Sequence, residues 1–147
     1  MSYKVIQLTN TNIGAVAVNK MMPFGKVTRK LNCKNYDSIP FTIETSGANV
    51  VVINECGYYK VTYSASVISS DNGLITMNLL VNGANVYSVS ETASATANNV
   101  NLTLPYEIRV LPNQLQNANS VPVDIQIQLS GTAITGGTAN IIIEKVY

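Results

Sequence analysis

Chemistry in this chain would have to begin at Cys33, Cys56 or one of eight carboxylates, because the sequence contains no histidine. Histidine is the commonest acid–base side chain near neutral pH, and a thiol without a neighbouring base is a weak nucleophile. The serine elbow Gly-x-Ser-x-Gly is absent as well. Asp37, Glu44, Glu55, Asp71, Glu91, Glu107, Asp124 and Glu144 are scattered, with no two at a spacing that sets them on one strand face. Glu44 and Glu55 could meet across neighbouring strands, although solvation is the simpler role for such residues. Asp71 and Asn72 offer oxygens at a loop tip, too few for the roughly six to eight ligands of a calcium ion. Gly131 and Gly136-Gly137 read as turn residues in a hairpin-like connection, not as a phosphate cradle. Asn101-Leu102-Thr103 matches a glycosylation acceptor but falls inside a strand pattern, where the match is read as chance. The sequence therefore predicts no catalytic, cofactor-binding or metal-ligating residues, no cofactor, and a protein that is not an enzyme.

Whatever these side chains do, strands must position them. Period-two alternation recurs along the chain, while helical periodicity, heptads and collagen-type glycine triplets do not occur. From Tyr58 to Ile68, residues Tyr59, Val61, Tyr63, Ala65 and Val67 take one face, and Lys60, Thr62, Ser64 and Ser66 the other. Gly57 opens this strand, and Ser69 to Gly73 closes it with hairpin chemistry. Leu74 to Val81 follows and stops at a second Asn-Gly turn, Asn82-Gly83. Val121 to Leu129 alternates as cleanly, with Val121, Val123, Ile125, Ile127 and Leu129 facing a core. Asn98 to Val110 is a strand carrying Pro105, which removes a ladder donor and implies an edge position or a bulge. Thr138 to Val146 contains Ile141-Ile142-Ile143, so both of its faces are apolar and both need cover. Weaker patterns predict strands at Ile13–Lys20, Gly25–Leu31, Ile39–Ile43 and Asn49–Ile53, and main loops at Glu91–Ala97 and Leu111–Ser120. About ten short strands separated by turns predict one all-β jelly-roll sandwich over residues 13–147, preceded by an N-terminal arm over residues 1–12.

The chain has 147 residues, enough to close one core without staples. Charged residues make up only 12%, against the usual share of about 25%. That shortfall predicts a surface rich in Asn, Ser and Thr, part of it covered in an oligomer. Charge is also segregated. Residues 1–45 hold Lys4, Lys20, Lys26, Arg29, Lys30 and Lys34 against Asp37 and Glu44, a balance of +4. The remainder holds Lys60, Arg109 and Lys145 against six acids, a balance of −3. No aromatic residues alternate with the basic ones as a stacking platform requires, so nucleic acid is not an expected partner. Cys33 and Cys56 form no CxxC pair; two free, buried thiols are expected, with a disulfide between them as the alternative. Residues 1–8 have no apolar signal core, and no apolar run reaches the ~18 residues of a membrane span. These features predict synthesis in the cytoplasm without a secretion signal and no membrane insertion.

Gly57-Tyr58-Tyr59-Lys60-Val61-Thr62-Tyr63 has the form Gly-x-Tyr-x-apolar-x-aromatic. It resembles a strand signature of the globular heads of the complement and tumour-necrosis-factor superfamily. It is also similar to the C-terminal heads of bacterial collagen-like exosporium glycoproteins and to heads on bacteriophage fibres. Val81-Asn82-Gly83 resembles the turn after the next strand in that superfamily, and the short apolar last strand fits its order. Phenylalanines of the complement pattern are replaced by Val51 and Val61, and its acidic and glycine pair by Pro112-Asn113-Gln114, which favours the bacterial and phage versions. The resemblance implies a compact homotrimer whose terminal strand lies in the inner sheet near a threefold axis, with Ile142 or its neighbours against symmetry mates.

The expected function is a non-enzymatic structural protein of a bacteriophage virion, a trimeric head fibre or capsid-decorating protein on the virion surface. Its basic N-terminal region would dock on capsid or other virion proteins, and apical loops would contact host surface glycans. A bacterial spore-coat or cell-surface module and a carbohydrate-binding module are the alternatives. The latter would use Tyr3, Tyr36, Tyr58, Tyr87, Tyr106 or Tyr147, there being no tryptophan.

Overall fold

Alternating apolar residues settle between two layers in this protein, whose structure is a computed structural model describing residues 4–32, 41–43, 49–95, 98–112 and 120–146. In chain order the strands are β1 (Lys4–Asn10), β2 (Lys26–Asn32), β3 (Phe41–Ile43), β4 (Val51–Ile53) and β5 (Gly57–Ser69). They continue as β6 (Gly73–Val81), β7 (Ala84–Ala93), β8 (Asn99–Val110), β9 (Val123–Gly131) and β10 (Ile134–Lys145). The first sheet has the order β2-β1-β10-β5-β8 and the second β3-β4-β9-β6-β7, each pairing being antiparallel. The chain crosses between the sheets after β2, β4, β5, β7, β8 and β9, which makes the sandwich a jelly roll.

The alternating residues read from sequence line the interior. Tyr59, Val61, Tyr63, Ala65 and Val67 of β5 meet Val123, Ile125, Ile127 and Leu129 of β9 in one buried cluster. Two edge-to-face ring pairs pack within it, Phe24 on Tyr63 with centroids 6.2 Å apart and Phe41 on Tyr59 at 5.9 Å. Pro105 lies on β8, the last strand of the first sheet, where a missing amide donor interrupts no ladder on the open side. Asn82 (φ 50°) and Gly83 (φ 83°) both take left-handed backbone, the two-residue hairpin turn between β6 and β7 that Asn-Gly favours.

Four expectations change. Residues 4–10 are not an arm but a central strand, β1, held between β2 and β10 with Val5, Ile6 and Leu8 fully buried. Ile13–Lys20 is not a strand: left-handed Gly14 (φ 75°) and Asn19 (φ 68°) interrupt it, leaving one bridge from Val16 to Ile134. Ser69–Gly73 and the Gly131–Gly137 region are not hairpins, because β5 and β6, like β9 and β10, belong to opposite sheets. Gly137 instead sits inside β10, where a Cβ would collide with the Ser66 carbonyl oxygen of β5. The expected loop at Glu91–Ala97 begins inside β7, a strand exposed on nearly all its residues and therefore without a burial alternation to read. Cys33, Glu44 and most of the Leu111–Ser120 loop lie outside the described residues.

Candidate functional site

Residues directly opposite one another in antiparallel strands share a face, so the register defines the outward surface of the first sheet row by row. Tyr58 and Arg109 form the first row, and Glu144, Lys60 and Glu107 the second, with charges alternating − + −. Gln7, Ile142, Thr62 and Pro105 form the third. Thr9, Asn140, Ser64 and Thr103 follow, and then Thr138, Ser66 and Asn101. The last two rows line a shallow, uncharged groove of about 320 Å³. Within it the Asn140 Oδ1 accepts from Gln7 Nε2 at 2.8 Å and from Thr9 Oγ1 at 2.9 Å, and Ser66 Oγ donates to Asn99 Oδ1 at 3.2 Å. Ile142 rises half-buried from this polar field, while its neighbours Ile141 and Ile143 are buried in the core. On β1, β10, β5 and β8 the last three rows carry short polar side chains, Pro105 and a central isoleucine but no charge, and the β2 edge adds Arg29 beside Gln7 and Lys26 beside Thr9. The uncharged part of this face is chemically suited to being covered by protein.

The second sheet treats its outward polar residues differently. Asn78 is buried on β6, and its amide donates to Ser130 Oγ at 3.0 Å while its oxygen accepts from Ser88 Oγ at 2.6 Å. At the corner where β7 of this sheet meets β8 of the first, Tyr87 stacks on Tyr106 with centroids 5.7 Å apart. Tyr87 is 40% exposed, so this aromatic corner is an uncovered apolar edge beside the polar face.

One ionic clasp joins the strands nearest the two ends of the described chain. The buried Lys4 Nζ donates to Glu55 Oε1 at 3.1 Å and Oε2 at 2.8 Å, and Lys145 Nζ lies 3.4 Å from Oε2. Burial pushes the Glu55 carboxyl up, but the hydrogen bonds and charges of Lys4 and Lys145 outweigh it and hold the group below its ordinary 4.5. The Tyr59 hydroxyl donates to the Glu55 carbonyl at 2.7 Å. Burial first, then the negative charge of nearby Glu55, holds the Tyr59 phenol far above its ordinary 10, and burial does the same to Tyr63. Neither phenol is an acid–base group at neutral pH.

Of the two cysteines, Cys33 lies outside the described residues. Cys56 is an exposed thiol, contrary to the expected burial, because it stands in the turn just before β5 and not on a core position. It borders a cleft of about 290 Å³ with Tyr58, Arg109, Val110, Leu111 and Pro112, where the Arg109 guanidinium carbon lies 5.8 Å from the Tyr58 ring centroid. Among the described residues no three acidic or thiol side chains gather into a metal-binding group. Among them, too, no helix is long and apolar enough to cross a membrane. Asn101 and Thr103 both point outward from β8 on the groove wall. Of the tyrosines considered for glycan contact, Tyr58, Tyr87 and Tyr106 are described; only Tyr87 and Tyr106 come together. The aromatic corner escaped sequence reading because Tyr87 and Tyr106 lie on strands of different sheets, far apart in sequence, and β7 shows no alternation around Tyr87.

No sequence-family model and no curated protein matches the chain. Solved structures do. The PRD1 vertex protein P5 is similar at 16% identity and a TM-score of 0.53, over 98% of this chain and 97% of that one. Eiger TNF from S. frugiperda is similar at 9% identity and a TM-score of 0.68, over 100% and 94%. Murine APRIL, crystallised at pH 5.0, is similar at 8% identity and a TM-score of 0.68, over 98% and 99%. Together with the ten-strand topology these define the class: a jelly-roll sandwich of the tumour-necrosis-factor type.

Proposed function

We propose that the chain is a non-enzymatic structural protein of a bacteriophage virion, a head fibre or capsid-decorating protein that works as a compact homotrimer on the particle surface. The observation that carries the reading is the full-length likeness to a vertex protein, which this chain matches in the extent of its fold and not in a fragment. The surface supports the assembly. In a threefold arrangement the outward face of the first sheet, with Ile142 near its centre, is covered by a neighbouring copy, and the Tyr87–Tyr106 corner is the apolar edge available to cover it. Low overall charge then follows from burial of that face. Docking on capsid or other virion proteins falls to the basic N-terminal third, and host surface glycans are the ligand class for exposed loops at the ends of the sandwich. Immunogold labelling of particles made by the genome that encodes this chain tests the location. Label on intact particles is the expected result; label confined to soluble protein contradicts it.

A second reading, a soluble ligand of the tumour-necrosis-factor kind, is favoured by the TM-scores of 0.68 to Eiger TNF and APRIL. Unlabelled particles together with a trimeric native mass would turn the account towards it.

A further inference from the structure

Strand β2 is the edge of the first sheet opposite the aromatic corner. Among the described residues it pairs only with β1, so one side of its backbone is open. Five consecutive residues of this strand, Lys26, Val27, Thr28, Arg29 and Lys30, are exposed. Its cations are Lys26, Arg29 and Lys30, and the residues opposite them on β1 are Thr9, Gln7 and Ile6, none of them acidic. None of these three cations forms a salt bridge with an acidic side chain among the described residues. The other two long edges differ: β8 sets Glu107 beside Lys60, and β7 carries Glu91 and no cation.

We infer that the open edge of β2 is a docking strand for an extended acidic segment of a partner protein, which adds to the first sheet as a further antiparallel or parallel strand. The inference rests on the virion reading and names the chemistry of the partner that holds the chain there. Three observations argue for a peptide. An open strand edge presents alternating amide donors and carbonyl acceptors that another extended backbone satisfies. Seven residues at about 3.3 Å each give an edge of about 23 Å, the length of one short strand. The cations select the partner's sign, and they also keep two copies of β2 from pairing with each other, since like charges placed opposite repel. A nucleic acid would leave the backbone edge unused and would find no exposed aromatic residue on this strand to stack on.

The test uses the full chain and three probes: a capped peptide of alternating glutamate and valine, the same peptide N-methylated at alternate residues, and a single-stranded oligonucleotide of equal charge. Binding is read by titration with amide chemical shifts. The expected result is binding of the plain peptide with shifts centred on Lys26–Asn32, and at least about tenfold weaker binding of the N-methylated one, which cannot complete the ladder. The Lys26→Glu, Arg29→Glu, Lys30→Glu triple variant should weaken the plain peptide about tenfold or more, with Lys60→Glu remaining within about twofold. Should the charge-reversed triple fail to fold, the corresponding glutamine triple serves, with a smaller loss in the same direction. Absence of peptide binding, indifference to N-methylation, or tighter binding of the oligonucleotide overturns the inference. Failure here with gold label on particles removes only the docking strand, whereas peptide binding by a chain absent from particles removes the virion reading.

Discussion

Glu55 faces Lys4 and Lys145 at once, and its carboxylate must stay ionised for that clasp to hold β1, β10 and the turn before β5 together. Its folded pKa lies below the ordinary 4.5, so its contribution to stability is present above about pH 4.5 and is lost as pH falls below that value. Replacing Glu55 by Gln should cost about 1–3 kcal/mol at pH 7, between the values of exposed and buried pairs, because the buried Lys4 loses a charged partner. Urea midpoints of wild type and Glu55→Gln should converge as pH is lowered towards 3; a constant difference would contradict the clasp. Tyr63 poses the reverse case. Its hydroxyl is buried and has no hydrogen-bond partner among the described residues. Tyr63→Phe should therefore be neutral or stabilising by up to about 1 kcal/mol in chemical denaturation, since it removes an uncompensated polar burial. A loss of more than about 1 kcal/mol would mean that the hydroxyl has a partner in solution. Tyr63 was legible in sequence as a core position; the clasp was not, because Lys4, Glu55 and Lys145 come together only through pairings far apart along the chain.

At the scale of elements, β10 divides its work between two faces. Ile141 and Ile143 fill the core and Ile142 faces outward. Ile143→Ala should cost about 2–5 kcal/mol of folding stability. Ile142→Glu should leave the fold of each copy nearly unchanged and dissociate the proposed trimer, a contrast that far-ultraviolet circular dichroism and sedimentation measured together resolve. Gly137→Ala should destabilise by more than about 1 kcal/mol, because both the positive φ of 149° and the closeness of the Ser66 carbonyl oppose a side chain. Strands with one buried face, β5 and β9, could be read from alternation, β6 and β10 from apolar runs beside turn residues, and β8 from alternation with its proline placed at an edge. β7 could not, since an edge exposed on both faces carries no periodic signal. β1 offered only Val5, Ile6 and Leu8 over a short span, which polar neighbours obscured. The false strand at Ile13–Lys20 had apolar residues in the right density, but the bend at left-handed Gly14 breaks the alternation that periodicity alone suggests.

For the molecule as a whole, ten strands in two sheets and a low charge content join a segregation of charge that the fold makes spatial. The cations of β2 lie along one edge of the first sheet, and the tyrosine corner lies at the opposite edge. Composition predicts that part of the surface is covered, and the register shows where on the first sheet β1, β10, β5 and β8 carry short uncharged side chains. It did not reveal the order of strands, because crossovers between sheets leave no mark in local periodicity. The central claim is that this face closes against other copies of the chain. Native mass spectrometry of the purified protein tests it most directly. Three copies of 15.8 kDa give 47.4 kDa, and a stable species at that mass, lost in Ile142→Glu, is the predicted result. A monomer at 15.8 kDa across micromolar concentrations would contradict the account.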